Sequence, residues 1–112
     1  MSYDVDIELP ECPTCGQERG DHWHGLTFNV RPLLVLALGP ENGLRSLDGK
    51  RCGDVVECVS GGVAAISDPA RFAEFEALNP PNGWGDRAGT EKFLRWLLAA
   101  CERMPDATVR VW

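Results

Sequence analysis

Cys12 and Cys15 of a Cys-Pro-Thr-Cys-Gly run, followed by His22-Trp23-His24, carry the most specific chemistry in this chain. Two thiolates at this spacing can close on one tetrahedral metal ion, with Gly16 supplying the backbone freedom that a tight knuckle needs. Histidines at i and i+2 point to the same side of an extended strand, so His22 and His24 can complete a Cys2His2 shell. Zn2+ is the ion this donor set favours among the metals of a cytoplasm. A closed shell of four ligands leaves no place for water, which makes the site structural. Other readings of the same residues stay open. Cys12 and Cys15 can be plain thiols in a turn, or a redox dithiol, although Gly16 and its polar tail do not promise the helix N-terminus such a pair uses. His22 and His24 can be ordinary strand residues.

The second chemically suggestive run is Asn82-Gly83-Trp84-Gly85-Asp86, preceded by Pro80-Pro81. As a recognition loop it offers an aromatic anchor, Trp84, between the amide of Asn82 and the carboxylate of Asp86. As a purely structural element it needs only that Trp84 plug a gap between helix ends while the glycines turn the chain. Trp96 is a further candidate contact, because it falls off the apolar stripe of the helix around it.

These residues must be positioned by the elements between them. Tyr3 to Leu9 alternates apolar and acidic residues, the period of a half-buried strand, and Pro10 ends it. His22 to Val30 reads as a second strand, with Asn29 as a cap for the helix after it. Pro32 and the apolar Leu33 to Leu38 predict that helix to be short and buried, stopped by Gly39-Pro40. A helix opened by Asp54 places Cys52, Val55, Val56, Val59, Val63 and Ile66 on one stripe. Gly61-Gly62 either breaks it or admits another backbone. Ser67-Asp68-Pro69 starts a new helix with Phe72, Phe75 and Leu78 as its buried edge. Thr90 is expected to cap the last helix, which buries Phe93, Leu94, Leu97, Leu98 and Cys101. Thr108 to Trp112 closes the chain as a strand. Cys52 and Cys101 fall on apolar stripes and read as core, whereas Cys58 shares no face with Cys52.

The expected fold is therefore α+β: a small antiparallel sheet of about three strands packed with three to four helices, with the CPxCG turn near the N-terminus. One domain covers 1–112, divided into a strand–knuckle–strand unit over 1–30, a helical region with the NPPNGWG loop over 31–104, and a closing strand over 107–112. At 112 residues, 44% of them hydrophobic, the chain can build one core, alone or with copies of itself. The net charge is −6, and residues 1 to 21 hold six acids against Arg19 alone. That distribution argues against nucleic-acid binding, which depends on Lys and Arg displacing counterions. It suits a basic partner or simple solubility. Five cysteines, no leader and no apolar run long enough to span a bilayer point to a reducing cytoplasm.

No phosphate-cradling loop, dinucleotide fingerprint, nucleophile elbow or HExxH helix is present. A zinc deaminase places HxE before its cysteine pair, whereas here the histidines come after it. Catalysis would need one of the four ligands to be missing, with a neighbour such as Asp21 acting as general base in a small metal-dependent hydrolase.

The order CPTCG, then Thr27, Asn29, Val30 and Pro32, Leu47-Asp48-Gly49, Asp68-Pro69, Asn82-Gly83-Trp84-Gly85, Cys101 and Pro105 resembles a group of small uncharacterised proteins encoded by actinobacteria and their bacteriophages. The similarity runs from about Tyr3 to the C-terminus, and the CPTCG knuckle and NGWG loop are its most specific pieces. Relatives tend to carry Asn where this chain has Gly25. The resemblance brings no activity, no catalytic residue and no role for His22 or His24. With the residues above, it leads to the expectation of a zinc-stabilised cytoplasmic binding or regulatory protein, phage-encoded and acting on a host protein. A metal-dependent hydrolase and a thiol redox protein using Cys12 and Cys15 are the alternatives.

Overall fold

Alternation of Val5 and Ile7 with Asp4 and Asp6 does what its period predicts. In the computed structural model, which describes residues 2–8, 23–27, 30–39, 43–79 and 85–111, these residues form strand β1, Ser2–Glu8. Val5 and Ile7 are buried, while Asp4 and Asp6 on the opposite face keep partial exposure. Strand β2, Trp23–Thr27, pairs antiparallel with β1, with His24 opposite Val5, and Val30, expected at its end, is already in the turn that leads into the next helix. Strand β3, Thr108–Val111, pairs antiparallel with the other edge of β1, giving the order β2-β1-β3.

The outer edge of β3 is covered by the turn Leu47-Asp48-Gly49. Gly49 takes φ 78°, a left-handed conformation that costs glycine little. Its N–H donates to the Val109 carbonyl at 2.7 Å, Val109 N–H donates to Lys50 O, and Val111 N–H donates to the Asp48 carboxylate at 3.0 Å. The strand edge is thereby satisfied by a turn and one side chain, which removes a template for edge-to-edge pairing.

Helix α1, Arg31–Leu38, carries Pro32 in its first turn, where the missing N–H is no loss. Its N-cap is Val30, not Asn29. Only Leu33 and Leu34 are fully buried; Val35 to Leu38 are half-buried, so the helix lies at the margin of the core. A 3-10 turn, Gly43–Leu47, then buries Leu44 and Leu47. Helix α2, Cys52–Ser67, begins two residues before Asp54 and runs unbroken through Gly61-Gly62. The close-approach reading of the glycine pair is the observed one: a Cβ at Gly62 would stand 2.9 Å from Leu38 Cδ2 and 3.3 Å from the Ala37 carbonyl oxygen. Glycine lets α1 and α2 meet there backbone to backbone.

Asp68 caps the next turn, its carboxylate accepting from Ala70 N–H at 2.9 Å, and helix α3 comes next as Phe72–Glu76. Phe75 is buried, but Leu78 is 37% exposed, because the helix has ended before that residue comes round to the core. Helix α4, Arg87–Arg103, starts earlier than expected. Asp86 is its N-cap, accepting from Gly89 N–H at 2.7 Å, and Thr90 sits buried inside the first turns with its hydroxyl donating to Asp86 O at 2.8 Å. An extended acidic residue at 86 outcompeted Thr90 for the cap, since helix propagation from Arg87 leaves Thr90 no non-helical backbone. Phe93, Leu94, Leu97, Ala100 and Cys101 meet the stripe of α2, while Leu98 is half-buried. The helices pack with the buried side chains of the sheet into one core, the α+β arrangement expected of the pattern.

Candidate functional site

Helices α2 and α4 run antiparallel, because Arg87 at the start of α4 meets the end of α2, and Pro105, just beyond the end of α4, accepts from Gly53 N–H at the start of α2. Sixteen residues of α2 separate the two ends by about 24 Å. The two sequence-predicted sites are attached to opposite ends of this pair.

At the first end, Arg87 stands directly after the loop that contains Asn82 and Trp84. Its side chain is only 12% exposed. The guanidinium lies over the Phe72 ring, 3.9 Å from the centroid. One terminal nitrogen donates to Ile66 O at 2.9 Å and to Glu91 Oε1 at 2.7 Å. Nε is buried without a hydrogen-bond acceptor among the described residues, and Glu76 Oε1 lies 3.7 Å from it. The backbone N–H of Arg87 donates to Asn79 Oδ1 at 3.0 Å, across the base of the loop. Residues 79 and 87, eight apart in sequence, are thus fastened to each other and to the core. The hydrogen bond from Arg87, joined by one from Arg95, holds the Glu91 carboxyl below the usual carboxylate range against the opposing effect of burial.

Asp86 belongs to this clamp as the cap of α4 and is exposed. Trp96, proposed as a contact residue, is half-buried against the core and tilts against Phe93 with ring centroids 5.9 Å apart. It therefore has the second-layer packing that an off-stripe tryptophan can adopt, with part of its surface left accessible. Asn82 and Trp84 lie outside the described residues. Arg87 itself was not singled out by the sequence reading. The signal that could have found it is the four-residue spacing Arg87, Glu91, Arg95, together with a base in a first helical turn, where the helix dipole disfavours it.

At the other end, β1 and β2 are joined by residues 9–22, which hold Cys12, Cys15, Asp21 and His22. These four lie outside the described residues, and of His24 the structure gives the backbone position in β2. The register brings Asp6 opposite Trp23 and Glu8 opposite Thr108, and Thr108 bridges to Arg51 at the start of α2. The connection that carries the cysteine pair therefore leaves the sheet beside the N-terminus of α2. Among the described residues there is no group of three or more His, Cys, Asp and Glu side chains able to hold a metal.

Cys52 and Cys101 are both fully buried in the core. Burial pushes the Cys101 thiol up to about 12, and it raises Cys52 as well. Cys58 is exposed, its thiol pointing at Leu38 O at 3.8 Å. Cys52 and Cys101 are thus core residues, as their places on the apolar stripes led one to expect.

No protein-family model, curated protein or solved structure matches the chain. Among the described residues no helix is long and apolar enough to cross a membrane.

Proposed function

We propose that the chain is a small metal-stabilised binding module that recognises a protein partner through the 79–87 loop, with Asn82, Trp84 and Asp86 as its contacts and Trp96 as a flanking one. The observation that carries this reading is the clamp beneath the loop, in which Asn79 accepts from Arg87 N–H, the Arg87 side chain is tied to the Ile66 carbonyl, and Asp86 caps α4. A loop held at both ends loses less conformational entropy on binding than a free one, which favours recognition. The zinc is held by Cys12 and Cys15 and completed by His22 and His24, so that its binding energy is folding energy and the ion takes no part in chemistry. Free Cys52, Cys58 and Cys101 suit the reducing cytoplasm in which such a protein would work. A host protein is the partner expected of a phage-encoded factor, and the acidic balance favours a basic surface on it.

The test has two arms. Trp84→Ala is expected to abolish crosslinking to the partner from a photoreactive residue placed in the loop, while the unfolding midpoint stays within a few degrees; unfolding of the variant instead would return Trp84 to the core. Purified protein is expected to carry one zinc per chain, lost in Cys12→Ser and in Cys15→Ser together with stability. His22→Ala and His24→Ala then decide whether the shell closes on those side chains. Metal-free protein with Cys12 and Cys15 joined by a disulfide under reducing conditions would overturn the zinc assignment.

A further inference from the structure

Helix α4 carries four bases, Arg87, Lys92, Arg95 and Arg103, against the two acids Glu91 and Glu102, so it is positive in a chain whose net charge is −6. Arg87 is taken up by the clamp. Arg95 keeps 55% of its side chain exposed while its Nε donates to Glu91 at 2.9 Å. Lys92 and Arg103 are exposed and hold no ion pair among the described residues.

These bases are arranged around a tryptophan. Lys92, Trp96, Ala99 and Arg103 stand at i, i+4, i+7 and i+11, the spacing that forms one seam along a helix. At about 1.5 Å per residue the seam is roughly 16 Å long. Phe93, Leu94, Leu97 and Cys101 turn into the core, whereas Lys92, Ala99 and Arg103 face outward and Trp96 is half-buried between them. Arg95, four residues before Ala99, flanks the seam. The Trp96 ring backs onto Phe93, with centroids 5.9 Å apart, which supports it from below. Exposed Ala99, almost one turn further on, lets another backbone come close beside the ring. A merely solvated face needs neither feature.

We propose that this face of α4 seats an acidic amphipathic helix of a partner protein, whose apolar side chains rest on Trp96 and over Ala99 while its carboxylates meet Lys92, Arg95 and Arg103. The local sign of charge selects acids on the partner, and the seam spacing selects a helix. A long polyanion fits less well. Six acids in residues 1 to 21 repel an extended phosphate backbone, but a short segment confined to α4 is screened from charges beyond about 8 Å. The seam is also separate from the loop reading: Asp86 caps α4 ten residues before Trp96, roughly 15 Å along the axis.

The experiment uses the full chain and a synthetic probe, a dye-labelled peptide of about two heptads with Leu at the a and d positions, Glu beside them and Ala elsewhere. Anisotropy is expected to show saturable binding, and the amide shifts that accompany it are expected to be confined to α4. Lys92→Glu combined with Arg103→Glu is expected to weaken binding at least about tenfold and to leave the unfolding midpoint within a few degrees, since neither residue holds an ion pair. Ala99→Lys is the sharper variant. It adds a charge of the favoured sign but fills the seam, and a loss of about tenfold is expected. Trp84→Ala is expected to leave the affinity unchanged, so that failure of the loop and failure of the seam are read separately. No saturable binding, equal binding of the peptide with Lys in place of Glu, tighter binding by Ala99→Lys, shifts centred outside α4, or tighter binding of a single-stranded oligothymidylate of equal charge would each overturn the proposal.

Discussion

The two ends of the α2–α4 pair solve the same packing problem with opposite chemistry. At the loop end a guanidinium is buried against an aromatic ring, a backbone carbonyl and a carboxylate, and the backbone N–H of the same residue closes the loop base. At the other end two thiols, Cys52 and Cys101, are buried in the core beside a hydrogen-bonded turn. The first arrangement is strongly directional, since each partner lies where one nitrogen points. The second relies on burial and tolerates small shifts. The difference teaches where each end is sensitive. Removing a charge disturbs the loop end, removing a buried sulfur disturbs the other end, and the roughly 24 Å of helix between them keeps the effects apart.

The largest expected effect comes from removing the guanidinium. Arg87→Met keeps the stem of the side chain but leaves Glu91 and the Ile66 carbonyl without their donor, at a cost of about 3 kcal/mol. Cys101→Ala, the matching change at the other end, deletes one sulfur from a packed pocket and is expected to cost about 1 kcal/mol. Denaturant unfolding of both variants checks the order. Equal costs, or a reversal, would break the contrast between a directional and a merely buried contact. Partner binding sharpens it further: Arg87→Met is expected to weaken capture by more than its stability loss explains, because the loop base is released, whereas Cys101→Ala leaves capture intact.

Smaller effects are expected along the helix that separates the ends. Gly61 has open space around it, so Gly61→Ala is expected to raise stability by about 1 kcal/mol through helix propensity alone. Gly62→Ala gains the same propensity but must displace Leu38 and press on the Ala37 carbonyl, and a net loss of about 1 kcal/mol is expected. Thermal unfolding of the two variants reads opposite signs if α2 is a rigid spacer packed on α1. A gain in both would mean that α1 yields to the added methyl.

The smallest effect is pH-dependent and confined to the loop end. The folded-state pKa of Glu91 is depressed, chiefly by the hydrogen bond from Arg87. Its contribution to stability is therefore full above the ordinary carboxylate value of about 4.3 and is lost as pH falls through the lower folded value. Unfolding midpoints of wild type and Glu91→Gln are expected to differ most near neutral pH and to converge only as pH falls through the depressed folded value. A gap that persists at low pH would place the stabilisation outside the Arg87–Glu91 pair.

Much of this framework was legible in the chain. The alternation in 3–9, Pro32, Asp68-Pro69 and the α2 stripe led to β1, α1, the Asp68 cap and α2, because each rests on a local rule about period or capping. Three readings failed at element ends. Thr90 looked like a cap until Asp86 took that place, Asn29 gave way to Val30, and Leu78 proved exposed once α3 ended early. Such boundaries depend on which of two nearby residues the tertiary fold leaves in extended backbone, and local pattern does not choose between them. On the candidate site, Asp86 was identified as part of the loop, but its capping role and the whole Arg87 clamp were missed. The clamp joins Ile66, Phe72, Glu76, Asn79 and Glu91, residues that no single period groups together.

The amino-acid sequence by itself determined the α+β class, the identity of most core positions, the acidic balance and the two runs, CPTCG and NGWG, that carry distinctive chemistry. These arise from side-chain chemistry repeated at regular spacing, which acts over a few residues. Tertiary structure alone decided that the strands order as β2-β1-β3, that the two runs attach to opposite ends of one helix pair, that Gly62 is a contact and not a break, and that the turn after α4 folds onto the start of α2. Each of these is a meeting of residues far apart in the chain, selected by how helices and sheet bury their apolar faces together.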